Sequence, residues 1–134
     1  MENYQAILNI FHQHQRLAIS THINPDGDAI GSELALYSFL KDLGKQVQIV
    51  NMDVVPKIYD FLPFCDAILS PKSVPAKEIP DINYSPEILV VLDAGMGTLR
   101  KLLDVGVSYL DLDRIFLTHY HPDHCLDLVS MLFA

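Results

Sequence analysis

The chain is 134 residues long and half hydrophobic, enough to bury one core and, at the usual domain size, to form one domain. Seventeen Asp and Glu against nine Lys and Arg leave a formal net charge of −8, which excludes a broad basic clamp on nucleic acid or an anionic membrane and leaves room for bound cations. Cys65 and Cys125, in a chain without a charged-then-apolar leader, fit free thiols in a reducing compartment, so a cytoplasmic location is expected; no apolar run reaches the ~20 residues that span a bilayer.

In chain order, Ile7, Ile10 and Phe11 fall at helical spacing and predict an amphipathic helix over residues 3–14, packed on a sheet. Residues 16–20 read as a short apolar strand. After a loop, the apolar residues Ile30, Leu34, Leu36, Tyr37, Phe39, Leu40 and Leu43 predict a helix over 29–43, with Gly44 as its stop. Residues 45–50 alternate polar with apolar up to Val50, so strand, helix and strand form a βαβ unit with parallel pairing.

Pro56 opens a short helix reaching Leu62, and the four prolines between Ser70 and Pro86 mark an irregular connection. Residues 87–93 are a continuous apolar run ending in Asp93, the pattern of a central parallel strand with a carboxylate at its carboxyl end. A helix over 98–105, a buried strand over 114–118 and the start of a helix over 126–133 complete the reading. The expected fold is α/β, a mostly parallel sheet flanked by helices, as a single domain over residues 1–134. The apolar stretch 126–134 has no cap, which predicts a truncated helix or a self-associating surface, hence a homo-oligomer.

Two clusters carry chemistry. In the first, a strand ends at His22, and Asp26 and Asp28 follow in a loop held by Pro25 and Gly27, with Asp93 well placed on another strand end. One imidazole with hard carboxylates suits Mn²⁺ or Mg²⁺ better than a thiolate-seeking metal. Gly31 and Ser32 lie early in the next helix, whose N-terminus would favour a phosphate, so metal and phosphate share the loop. The competing reading is an ordinary turn in which Asp26 or Asp28 caps the helix.

The segment from Thr21 to Ser32, THINPDGDAIGS, resembles the first motif of the DHH-family phosphoesterases in their oligoribonuclease and pAp-phosphatase branch. The resemblance runs over residues 1–93, through Leu43-Gly44-Lys45, Asn51 and Val54-Val55-Pro56 to Val90-Val91-Leu92-Asp93, which is similar to the second motif. It implies a partial DHH-type domain with His22, Asp26, Asp28 and Asp93 around two metal ions, and a metal-bound hydroxide attacking phosphorus in a short oligoribonucleotide or nucleoside bisphosphate. The Asp-His-His motif of that family is not found in the chain.

In the second cluster, His119, His121, Asp123 and His124 follow the expected strand at 114–118. Spacing of two puts His119 and His121 on one side of an extended segment, while Asp123 and His124 turn toward a second ion. The segment resembles the His-x-His-x-Asp-His motif of the metallo-β-lactamase superfamily, and with residues 97–103 and 111–118 it looks most like the tRNA 3′-processing RNase Z branch. That resemblance, over residues 94–134, implies zinc held by His119 and His121 and by Asp123 and His124, with Asp123 also as the catalytic base that positions water.

The chain therefore reads as a hybrid with a join near residue 93. The leading expectation is a divalent-metal phosphoesterase acting on short RNA or a nucleotide. The alternatives are an RNase Z-like zinc hydrolase, or a catalytically incomplete metal-binding or assembly module. If residues 114–118 join the same sheet, His119 to His124 meet His22 and Asp93 at one edge. Cys125 reads as buried in the following helix before it reads as a ligand, Cys65 as core, and Lys41, Lys45, Arg100 and Lys101 as solvated.

Overall fold

The computed structural model describes residues 2–72, 86–93, 95, 97–100 and 121–133. The elements are α1 (Glu2–Gln13), β1 (Arg16–Ser20), α2 (Gly27–Asp42), β2 (Gln46–Val50), a 3-10 turn at Lys57–Tyr59, a second at Cys65–Ala67, β3 (Ile68–Leu69), β4 (Ile88–Val91) and α3 (Pro122–Phe133). The strands form one parallel sheet in the order β3-β2-β1-β4. This is the α/β architecture that the alternation of strand and helix predicts, a parallel sheet flanked by helices.

β1 is the centre because every residue from Leu17 to Ser20 is buried, which only a strand covered on both faces requires. It pairs Leu17 with Val47 and with Ile88, and Ile19 with Ile49 and with Val90. Leu17, Ile19 and Ile49 meet Phe11 of α1 and Ile30, Leu34 and Leu40 of α2 in one core cluster. Leu17, Ile19, Ile30, Leu40 and Ile49 are fully excluded from water, and each contributes about 1.5–3 kcal/mol by burial.

The helix ends follow local chemistry. α2 starts two residues earlier than its apolar spacing suggests, because the Asp26 carboxylate accepts from the Ala29 amide at 3.0 Å and nucleates the first turn. It stops at Gly44, whose φ of +73° reverses the chain while Gly44 N–H donates to the Lys41 carbonyl at 2.9 Å. At the amino edge of the sheet, Glu87 clamps the start of β4 to β1. It accepts from the Gln15 amide at 2.9 Å and meets Arg16 at 3.1 Å, while Glu87 N–H donates to the Arg16 carbonyl.

The short helix expected from Pro56 to Leu62 is a single 3-10 turn at Lys57–Tyr59. β3 escapes a periodicity reading because it is two residues long. α3 begins at Pro122 rather than 126, with the proline in its first turn, where a missing N–H costs nothing. This puts the backbone of Asp123 and His124 in a helix instead of a loop. The strand expected at 114–118, most of the helix expected at 98–105 and most of the connection at 70–86 lie outside the described residues. No helix among the described residues is long and apolar enough to cross a membrane.

Candidate active site at the carboxyl edge of the sheet

In the order β3-β2-β1-β4, the chain leaves β1 toward β2 on one side and arrives at β4 on the other, so the topological switch point lies between the carboxyl ends of β1 and β4. In open α/β sheets, connections diverging at such a point form the crevice in which ligands bind. Thr21 and His22 follow β1 at this point, and Leu92 and Asp93 follow β4. The two strand ends are held in step by Leu92 N–H, which donates to the Ser20 carbonyl at 2.9 Å.

His22 is 3% exposed, and its Nδ1 lies 2.8 Å from the Ile23 carbonyl. A carbonyl accepts only, so this contact puts a ring proton on Nδ1 and makes Nε2 the nitrogen that would ligate a metal. Asp93 is 1% exposed and adopts φ +62°, a left-handed conformation that Asp tolerates at some cost. Thr98, three per cent exposed, lies a few residues on, and its Oγ1 makes no hydrogen bond among the described residues.

Asp26 and Asp28 stand differently. One oxygen of Asp26 is committed to the cap of α2, and Asp28 is exposed on the first helical turn. Gly31 and Ser32 are half-buried within α2, past its first turn. Among the described residues, no three His, Cys, Asp or Glu side chains stand close enough to hold one metal ion. The donor types of His22 and Asp93 suit a divalent cation, whereas the arrangement of Asp26 as a cap answers a structural need first.

Of the second cluster, His121 is exposed directly before α3, and its carbonyl accepts from the Cys125 thiol at 3.3 Å. Cys125 is half-buried and spends its S–H on that i to i−4 bond. His119 and the side chains of Asp123 and His124 lie outside the described residues. α3 itself is joined to the β4 side of the crevice: Leu99 N–H donates to Asp127 Oδ2 at 2.9 Å, and Met131 is buried. Close by, Gly97 adopts φ +86°, and a Cβ there would come within 3.2 Å of the Ile23 side chain, so any other residue would be strained where this segment sits against the loop that bears His22.

The other sequence-level candidates lie elsewhere. Lys45 donates to the His12 carbonyl at the amino edge, away from the crevice. Cys65 lines an open cavity of about 360 Å³ with Val54, Val55, Asp60, Asp66, Ile68 and Ser70. Desolvation, then the charges of Asp60 and Asp66, push its thiol up from the usual range, so it is a poor nucleophile.

A polar strut in this region is not legible from the ligand motifs. Glu33 of α2 is fully buried, and its Oε2 accepts from Asn51 Nδ2 at 2.7 Å; Asn51 Oδ1 accepts from Thr21 N–H at 3.2 Å; and Thr21 Oγ1 donates to the Leu92 carbonyl at 3.1 Å. The signal available in sequence was Glu33 itself, a carboxylate at helical spacing from Ile30 and beside Leu34, on a face otherwise apolar.

Comparison with known proteins gives a family match, curated relatives and a fold likeness. The model of the metallo-beta-lactamase superfamily matches residues 84–133. The chain is 39% identical over 62 residues to a ribonuclease Z of Pyrococcus abyssi, covering 46% of this chain and 20% of that protein. Over 43 residues it is 51% identical to a ribonuclease Z of Nocardia farcinica, covering 32% of this chain and 14% of that protein. The chain thus spans about a fifth of the length of the ribonuclease Z relatives it matches, or less. In fold, it is similar to the crystal structure of an exopolyphosphatase-related protein from Bacteroides fragilis, with a TM-score of 0.65, 25% identity, and coverage of 90% of this chain and 36% of that one.

Proposed function

We propose that the chain is part of a metal-dependent hydrolase that cleaves phosphodiester bonds in RNA, with His119, His121, Asp123 and His124 as zinc ligands and Asp123 as the base that orients water. The observation that carries this reading is the metallo-beta-lactamase match over residues 84–133, which contains the whole His-x-His-x-Asp-His run and agrees with the ribonuclease Z relatives. Two nitrogen donors at spacing two, with a carboxylate and a third imidazole on the next helical turn, suit Zn²⁺ better than Mg²⁺. The test is zinc content and cleavage of a 3′-extended tRNA in one preparation. Loss of stoichiometric zinc and of cleavage together in His121→Ala supports the reading; full activity in that variant sinks it.

A second reading is favoured by the switch-point geometry and by the fold likeness to the exopolyphosphatase-related protein. Here the part up to residue 93 is a DHH-type phosphoesterase domain joined near Asp93 to the second segment. His22 and Asp93, with Asp26 and Asp28, hold Mn²⁺ or Mg²⁺, and the N-terminus of α2 with Gly31 and Ser32 receives a phosphate of a short oligoribonucleotide or nucleoside bisphosphate. Purified protein with Mn²⁺ that leaves both dinucleotides and pAp intact rejects it. Bound metal without turnover on any of these substrates instead identifies a metal-binding module that is catalytically incomplete.

A further inference from the structure

We infer that Glu33 and Asn51 are positioning residues that set the placement of His22 and Asp93, an assignment that rests on the second reading above. The chain of bonds from Glu33 through Asn51 and Thr21 to the Leu92 carbonyl crosses α2, β2, β1 and β4 and ends at the peptides immediately preceding both candidate ligands. Thr21 is the residue before His22, and Leu92 is the residue before Asp93. One side chain and one amide of Thr21 therefore fix the two ligand-bearing turns relative to each other.

The energetics separate this from ordinary core packing. Glu33, Asn51 and Thr21 are at most 1% exposed. A polar or charged group buried this far is costly unless it is hydrogen-bonded, and a leucine of similar volume at position 33 would bury no charge. What the carboxylate supplies and leucine cannot is an acceptor for Asn51 Nδ2. That bond orients the amide so that its oxygen faces Thr21 N–H, while Asn51 N–H is already spent on the Leu69 carbonyl at 2.9 Å. Outer partners of this kind hold metal-binding groups in place, and their removal typically weakens metal binding by about 10–100-fold.

The test uses the full chain with Mn²⁺ as the added metal and compares Glu33→Leu and Asn51→Leu with Glu33→Gln, whose amide oxygen still accepts from Asn51. Hydrogen exchange on the metal-free protein is read at the Thr21 and His22 amides against Ile19 and Ile49, and Mn²⁺ affinity is read by calorimetry. Both leucine variants are expected to lose about tenfold in protection at Thr21 and His22 with the strand amides unchanged. They are also expected to bind Mn²⁺ about 10–100-fold more weakly, with Glu33→Gln restoring both to within about threefold. Protection that stays wild-type at Thr21, or falls uniformly along the strands, overturns the assignment. Should the leucine variants fail to fold, Asn51→Ala, which leaves neither an acceptor for Thr21 N–H nor a donor to Glu33, must produce the same local loss, and its absence is equally decisive. Wild-type protein that binds no Mn²⁺ overturns the metal site at His22 and Asp93, and the exchange measurement still decides the positioning claim.

Discussion

The Leu99 amide donates to the Asp127 carboxylate at 2.9 Å, a bond across 28 positions that fastens α3 to the helical turn following β4. Leu99 sits in the first turn of that helical segment, where backbone N–H groups lack intrahelical acceptors, so a carboxylate from another element acts as a cap in trans. The segment carrying His121 is thereby tied to the side of the crevice that begins at Asp93.

Replacing Asp127 with Ala leaves that amide without its acceptor and should destabilise the protein by about 1 kcal/mol, whereas Asp127→Asn keeps an acceptor oxygen and should lose less. Urea denaturation of both variants checks the order. Equal midpoints for wild type and Asp127→Ala would remove the bond from the account of how α3 is held.

Asp26 serves two readings that one pair of variants separates. Asp26→Ala loses the cap on Ala29 N–H and should cost about 1 kcal/mol, while Asp26→Ser restores the cap. If Asp26 is also a metal ligand, Asp26→Ser should remain as stable as wild type yet bind Mn²⁺ at least about tenfold more weakly. Unchanged Mn²⁺ affinity in the serine variant makes Asp26 a cap alone.

Glu87 predicts a pH dependence. The Gln15 amide bond, followed by the charge of Arg16, holds its carboxyl below the usual carboxylate range. A depressed folded pKa favours the folded state once the unfolded chain has ionised, so the contribution is complete above the unfolded value of about 4.5 and disappears as pH falls through the lower folded value. The gap in urea midpoint between wild type and Glu87→Gln should therefore be largest near neutral pH and close as pH falls through the lowered folded value. A gap independent of pH would mean that Glu87 acts through packing.

Ile19 is fully buried in the central strand, flanked by Ile49 and Val90. Ile19→Ala should cost about 2–5 kcal/mol, and Ile19→Val about 1 kcal/mol, as read by chemical denaturation. A loss under about 1 kcal/mol for the alanine variant would contradict the central place of β1 in the core.

Cys65 offers a chemical check on its surroundings. With its thiol pushed up by desolvation and by Asp60 and Asp66, it should react with iodoacetamide more slowly than an unhindered cysteine at pH 8. Asp60→Asn should speed the reaction by lowering the thiol pKa. A rate unmoved by that substitution assigns the slowness to shielding.

The sequence by itself determined α1, β1, α2, β2 and β4, because each was written in local terms: helical or alternating spacing, a stopping Gly44, and a continuous apolar run for β4; the two-residue β3 and the 3-10 turn at Lys57–Tyr59 carried no such pattern. It also placed His22 and Asp93 on strand ends. Only the tertiary structure decided the strand order β3-β2-β1-β4, which brings those two ends together at a switch point, since pairing between distant strands depends on how faces pack and not on any local pattern. It likewise decided that one Asp26 oxygen goes to a helix cap, that α3 begins at Pro122, and that a buried Glu33 reaches through Asn51 to Thr21. Hydrogen bonds across 18 and 30 positions leave no spacing in the chain to be read; they exist because burial obliges each polar group to find whichever partner the fold brings within reach.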